Sequence, residues 1–355
     1  MAGMTASRRA PALALVAAAL FGLSTPAARV LVGAVDPWLL AGLLYLASGV
    51  ALAAFRWSRR RLFRHATVES PVTGRDLSWL ALAILFGGII GPVLLTYGLA
   101  KGTAVQSALL LNLEGVLTTL LAWSLFGEHV SARIATGMAC IAGGGAALSW
   151  DPSGPLAFGA SAILIVAACL AWAIDNNLTR MVSGGDPAQI AGLKGVAAGS
   201  INVMVALSRG VPWPSAAAMV GATVVGVLGY GVSLLLFVRA LRWLGAARTG
   251  AYFSTAPFVG ALAAVLVLGE PPTVPILVAA LLMGAGVWLH LTERHDHEHV
   301  HELLEHAHLH SHDEHHQHDH PPGTATGEPH SHVHQHTPMR HRHPHYPDLH
   351  HRHRH

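Results

Sequence analysis

Apolar residues in this chain fall in long unbroken runs, without the alternation or one-sided stripe of a soluble fold. Each run is about 20 residues, the length of helix that crosses a hydrocarbon core. They lie near 11–32, 37–55, 77–98, 104–126, 132–149, 156–178, 187–207, 216–238, 246–268 and 273–291. Lipid offers no partners for backbone N–H and C=O groups, so each crossing must be a helix or a closed-barrel strand, and runs this long select helices. The pattern predicts an all-α integral membrane protein with ten transmembrane helices.

The runs also repeat. Residues 104–114, running on to Gly127-Glu128, are echoed 142 positions later by 246–256, running on to Gly269-Glu270, and each copy leads into a second Gly- and Ala-rich apolar run. Phe21–Arg29 lines up with Trp172–Arg180 in the same way. An odd number of spans per copy inverts the second relative to the first, the plan of many secondary transporters. The expected organisation is a cytoplasmic N-terminus at 1–10, two inverted five-helix repeats at 11–149 and 156–291, and a disordered cytoplasmic tail at 292–355. A cleaved signal, with Arg8 and Arg9 ahead of an apolar core and Thr25–Ala28 behind it, is the competing reading of the first span. The repeat and the length of the core argue against it.

Charge fixes the orientation. Only 12% of the 355 residues are charged. Arg8, Arg9, Arg56, Arg59–Arg61, Arg64, Arg75, Arg133, Arg180, Arg242 and Arg248 fall on one side of the predicted spans, against little more than Lys101 and Arg209 on the other. Basic residues accumulate on the cytoplasmic side, so both termini are expected inside a bacterial plasma (inner) membrane. Trp38, Trp57, Trp79, Trp150, Trp213, Trp243 and Trp288 stand near span ends, as an interfacial belt requires. The net charge of +3 follows from this sidedness and calls for no nucleic-acid partner. Cys140 and Cys169 lie inside apolar spans, where a thiol is a small hydrophobe.

Two apolar repeats ending in Leu125-Phe126-Gly127-Glu128 and Leu268-Gly269-Glu270, each followed by a Gly-rich span, resemble the EamA-type branch of the drug/metabolite transporter superfamily. The resemblance covers about residues 11–291. It implies ten helices in two inverted repeats, a central cavity and transport, often export, of a small solute, with Glu128, Glu270 and Pro257 as motif positions. It does not name the solute. The first repeat departs from the second in having Glu114-Gly115 where the second has the helix-kinking pair Ala256-Pro257.

An ionisable side chain in mid-membrane is costly unless it meets a cavity or a partner. Glu114, Asp175 and Lys194 are the candidates, with Asn112 and Asn176 as polar neighbours in the transport cavity. Ser107, Glu114 and Thr118 share one helical face, and so do Trp172, Asp175, Asn176 and Thr179. Two readings stay open: a carboxylate that carries a proton, or a buried ion pair of Lys194 with one carboxylate that only holds helices together. Glu128 and Glu270, at helix ends, are expected to be structural, as caps, or gates. Arg29 and Arg180 are expected to snorkel to the interfaces. Gly192, Gly195 and Gly199 form a stripe for close helix packing.

Beyond Leu291 the composition changes, and 23 of the 26 histidines lie in the last 64 residues. His295, His297, His299, His301, His306, His308, His310, His312, His315, His316, His318 and His320 are candidate ligands for a divalent transition metal such as nickel, cobalt or zinc. Low-complexity drift and a pH-responsive polycation are the competing readings. The fold itself requires no cofactor.

Three functions follow: a secondary exporter whose tail buffers or delivers metal, making metal or a metal complex a candidate cargo; a metabolite or drug exporter with an incidental tail; or a membrane-anchored metal store or sensor. The lipid bilayer is the certain partner, and a small molecule or metal and a second copy of the chain are candidates. No Gly-x-x-x-x-Gly-Lys phosphate loop and no nucleophile with a nearby base is found, so an enzyme is not expected.

Overall fold

A computed structural model describes residues 2–62, 77–126, 130–150, 159–182 and 187–292, with 296–300, 304–310, 330–336 and 340–344 in the tail. Its helices are α1 (Ala2–Leu31), α2 (Pro37–Leu62), α3 (Leu77–Ala83), α4 (Gly91–Lys101), α5 (Ala104–Leu110), α6 (Leu113–Phe126) and α7 (Ala132–Ser149). They continue with α8 (Ala160–Met181), α9 (Pro187–Ser208), α10 (Ala216–Val225), α11 (Ser233–Phe253), α12 (Ala256–Leu268) and α13 (Val274–Leu291). Among the described residues, eight helical stretches are long and apolar enough to cross a membrane, and Ala256–Leu268 is apolar but shorter. Large apolar side chains such as Leu266, Val267 and Leu281 are exposed, a surface suited to lipid and hostile to water. The chain is a multi-pass helical membrane protein.

Two expected spans are not plain α-helices. A π-helical turn, π1 (Ile84–Ile90), joins α3 to α4, and a second, π2 (Gly226–Val232), joins α10 to α11. They lie 142 positions apart, the offset of the sequence repeat. A π turn bonds each N–H five residues back, which widens the helix and loosens carbonyls from the ladder. Glycines sit where this wider turn meets a neighbour: at Gly226 a Cβ would lie 2.5 Å from Leu44 O.

Two further spans, 104–126 and 246–268, are broken in the middle. In the first, α5 stops at Leu110 and α6 starts at Leu113 after a turn at Leu111-Asn112. In the second, helix runs on through the expected loop near 239–245 as far as Phe253 and breaks at Ser254-Thr255. Pro257 then stands in the first turn of α12. There its missing N–H leaves no bond unmade, so it opens a helix and does not kink one. Glu114, which the repeat aligns with Ala256, stands likewise in the first turn of its helix, α6.

Small residues set the packing. α2 lies against α9 where Gly49 meets Gly195, and a Cβ at Gly195 would come within 2.7 Å of Gly49 Cα. The Gly192–Gly199 stripe therefore does what its spacing predicts. α7 packs on α13 through Gly137, Gly144 and Gly286, α4 packs on α8, and α1 packs on α11 and α12. The first span is thus part of the bundle. Arg29 Nε donates to Gly102 O at 2.9 Å, so this side chain ties α1 to the α4–α5 junction instead of snorkelling. The Arg180 side chain lies outside the described residues. Cys140 and Cys169 are free thiols.

The tail, expected to be without order, carries four short strands: β1 (Asp296–Val300), β2 (Leu304–His310), β3 (His330–His336) and β4 (Arg340–Pro344). β1 pairs antiparallel with β4 and β2 with β3. Strict His-x-His alternation has the period of a strand, so an antiparallel ladder accommodates it. The register sets His306 opposite His334, His308 opposite His332 and His310 opposite His330, with His297 opposite His343 and His299 opposite His341. His295, His301, His312, His315, His316, His318 and His320 lie outside the described residues.

Candidate functional site

α8 gathers the polar residues. Asp175 is buried on it against π1, where a Cβ on Gly87 would occupy the place of its carboxylate. Lys194, reaching in from α9, sets Nζ 2.5 and 2.7 Å from the two Asp175 oxygens and 3.1 Å from Thr179 Oγ1. Thr179 in turn donates to Asp175 Oδ1 at 2.9 Å. Every proton of the ammonium group thus has an acceptor within reach. A buried pair holds charge at tolerable cost only when its remaining valences are satisfied in this way.

Glu114 meets a different partner. Asn176 Nδ2 donates to Glu114 Oε1 at 2.9 Å and to Thr118 Oγ1 at 3.3 Å. The carboxylate stands in the first turn of α6, at the positive end of the helix. Among the described residues Oε2 receives no hydrogen bond and no cation pairs with Glu114. Glu114 is partly buried, while Asn176 is exposed and a Cβ on neighbouring Gly115 would meet nothing within 4 Å.

The break in the helix separates residues that share a face in the sequence pattern. Ser107 stays in α5, fully buried and without a hydrogen-bond partner among the described residues. Asn112, in the break, donates to Leu109 O at 3.0 Å and leans on Met283 Sδ at 3.9 Å, so it braces the turn and does not join Glu114.

Several residues come to the site unannounced by any motif. Tyr45 OH and Trp172 Nε1 both donate to Gly87 O, at 2.8 and 3.0 Å, using a carbonyl that the π turn leaves available. Asn202 does the same for Gly88 O at 3.1 Å. From Tyr45 a file of rings runs through Tyr230, Phe21 and Phe253 to Phe237, with successive centroids 5.7, 5.8, 5.3 and 4.9 Å apart.

The two ends of this region differ. At one end α5 lies along α12, and Glu270 accepts hydrogen bonds from the backbone N–H groups of Ala104 and Val105, both at 2.8 Å. The motif carboxylate of the second copy therefore caps the broken helix of the first. Glu128, which would make the equivalent contact, lies outside the described residues. At the other end α6 leans on α8 and α7, while α11 leans on α1 and α13; among the described residues α6 and α11 have at most marginal contact. Gly250, in the last turn of α11, also faces space that no atom fills within 4 Å of a Cβ.

The model of the EamA-like transporter family matches this chain twice, over residues 8–150 and 159–292. The chain belongs to the EamA-like transporter family. It is a membrane transporter of a small solute, and its two π turns and two broken helices fall at equivalent points of the two EamA-like copies. A protein of Methanothermobacter thermautotrophicus described as an uncharacterized transporter is 26% identical over 287 residues, 78% of this chain and 84% of its own. A crystal structure superposes with a TM-score of 0.58 at 18% identity, over 78% of this chain and 95% of its own, a likeness of fold alone. Among the described residues of this EamA-like protein, no three His, Cys, Asp or Glu side chains are grouped to hold a metal ion.

Proposed function

We propose that this protein is a secondary exporter in which ten helices form two inverted five-helix repeats and Glu114 is the carboxylate that meets the solute. The observation that carries the reading is Glu114 itself: without an ion-pair partner among the described residues, set at the break of a discontinuous helix, and hydrogen-bonded to the exposed Asn176. Discontinuous helices place polar backbone and helix termini at mid-membrane, where transporters hold their solutes. The Asp175–Lys194 pair is a strut that fixes α8 to α9 and takes no part in transport.

On this reading Glu270 and Arg29, which tie the ends of α5 and α4, close the bundle on the side away from the arginine-rich, cytoplasmic face, and rocking of one repeat against the other would open it. Glu114→Gln tests the role. Loss of solute flux at unchanged membrane abundance supports it, and unchanged flux removes it.

A second reading concerns the tail, and its composition favours it. Neutral imidazole suits late first-row metals, and 23 of the 26 histidines lie in the last 64 residues. The tail would then bind metal on the cytoplasmic side as a buffer or sensor, separate from the path of the solute.

A further inference from the structure

Charge is divided between the two parts of this chain. Up to Leu291 it holds 17 Lys and Arg against 9 Asp and Glu, while the segment from Glu293 to His320 holds 8 Asp and Glu against Arg294 alone. The acidic residues of that segment are interleaved with its histidines, from Asp296-His297-Glu298 to His318-Asp319-His320. One of them, Glu298, has Arg342 opposite it in the β1–β4 register. The bundle is therefore basic and the first half of the tail acidic.

Three arginines of the bundle face outward without a protein acceptor. Arg59 and Arg61, at the end of α2, are exposed, and Arg61 lies over the exposed Trp57 ring, 4.6 Å from its centroid. Arg239 of α11 is exposed and lies over the Phe55 ring, 5.9 Å from its centroid. Phe55 and Arg59 stand four residues apart on α2, so Arg239 comes from the second copy to the same side of α2 as Arg59. Among the described residues these three meet no carboxylate and no carbonyl: Asp36 caps α2 at its other end, Asp175 holds Lys194, Glu114 meets Asn176 and Glu270 caps α5. Arg29 and Arg133, in contrast, are bonded to backbone carbonyls. A guanidinium seated on a ring keeps its in-plane N–H donors for an oxyanion.

The tail begins at this same end. α13 finishes beside the start of α7, where Arg133 reaches Leu289 O and Thr292. The far end of α7 is held to the start of α5 by Gln106, which donates to Leu148 O, next to Gly102 where Arg29 ties down the end of α1. α2 starts from there and runs the length of the bundle, so its arginine-bearing end and the end of α13 lie together. The 27 residues from Thr292 to Asp319 span up to about 90 Å when extended, several helix diameters. Tethering keeps their carboxylates at high effective concentration near the arginines.

We propose that the acidic first half of the tail docks on the arginine-rich end of the bundle, with carboxylates between Glu293 and Asp319 bound by Arg59, Arg61 and Arg239. The contact is a set of exposed ion pairs, individually weak and reversible. It ties the tail to elements of both copies. Anionic phospholipid headgroups are the competing occupant of such a patch, and the test separates the two.

The test uses the full-length chain without Cys140 and Cys169, carrying Ser58→Cys and Ser311→Cys, in phosphatidylcholine vesicles treated with a bismaleimide linker. Positions 58 and 311 should be joined at low salt, and the yield should fall about threefold or more at high salt or in Arg59→Gln/Arg61→Gln/Arg239→Gln. Changing the three arginines to Glu should abolish the joint. Adding Glu302→Lys, Glu305→Lys, Asp313→Lys and Glu314→Lys should restore it, which separates loss of the contact from loss of the fold. A yield that responds neither to salt nor to the arginines overturns the docking. Loss of the joint when phosphatidylglycerol replaces phosphatidylcholine assigns the arginines to lipid headgroups and overturns it too. No flux is read, so either failure leaves the role of Glu114 as it stands.

Discussion

Neutralising the Asp175–Lys194 pair separates the strut from the transport carboxylate. Lys194→Met leaves Asp175 buried beside Gly87 with, among the described residues, only Thr179 as a donor. Both side chains are at most 15% exposed, so solvent does little to screen the loss. Removing one member of such a pair costs about 3–5 kcal/mol, because the other charge is stranded. At roughly 2–4 °C per kcal/mol for a domain of 150–250 residues, the single variant should melt at least about 6 °C lower in detergent. The double variant Asp175→Asn/Lys194→Met strands no charge and should recover most of that loss. It should also keep solute flux in proteoliposomes, which Glu114→Gln does not. Equal melting temperatures for the single variant and the wild type, or a double variant no better than the single, would refute the strut. Loss of flux in a stable double variant would move the transport role from Glu114 to the pair.

Other consequences follow from particular contacts. Glu270→Gln weakens two charge-assisted bonds to the start of α5, each worth about 1.5–3 kcal/mol when intact; cysteines near residue 104 should then label faster with an impermeant thiol reagent. Gly195→Leu drives a side chain into the Gly49 backbone and should lower stability by about 1–3 kcal/mol or more, read as reduced membrane abundance and melting temperature. Truncation after Thr292 should abolish nickel binding measured by calorimetry while leaving solute flux in place, since no grouped metal ligands are found among the described residues of the bundle.

The helical, membrane-spanning character of the chain was legible in the apolar runs, and the 142-residue echo has the same offset as π1 and π2. The π turns themselves were not legible, because a π insertion adds no change in apolar period that a run of Val, Leu, Ile and Gly can register. Nor were the breaks at Leu111-Asn112 and Ser254-Thr255, since a few polar residues inside a long apolar run do not by themselves stop a helix. Pro257 was the one local signal, and it marks the start of a helix. Glu114, Asp175, Asn176 and Lys194 stood out because ionisable and amide groups are rare in these spans, but who pairs with whom depends on the packing of α6, α8 and α9. The ring file draws on α1, α2, π2 and α11, and no spacing along the chain announces it. Glu270 was recognisable as a helix-end carboxylate, yet the helix it caps belongs to the other copy.

The most direct test asks whether the second copy is inverted. Ala132 and Val274, exposed at the starts of α7 and α13, occupy equivalent places in the two copies. Each is replaced singly by cysteine in a chain lacking Cys140 and Cys169, and labelled with an impermeant maleimide in right-side-out and inside-out vesicles. The account predicts labelling of position 132 from the cytoplasmic face and of position 274 from the opposite face. Labelling of both from one face would contradict the inversion, and with it the two-repeat transport cycle proposed around Glu114.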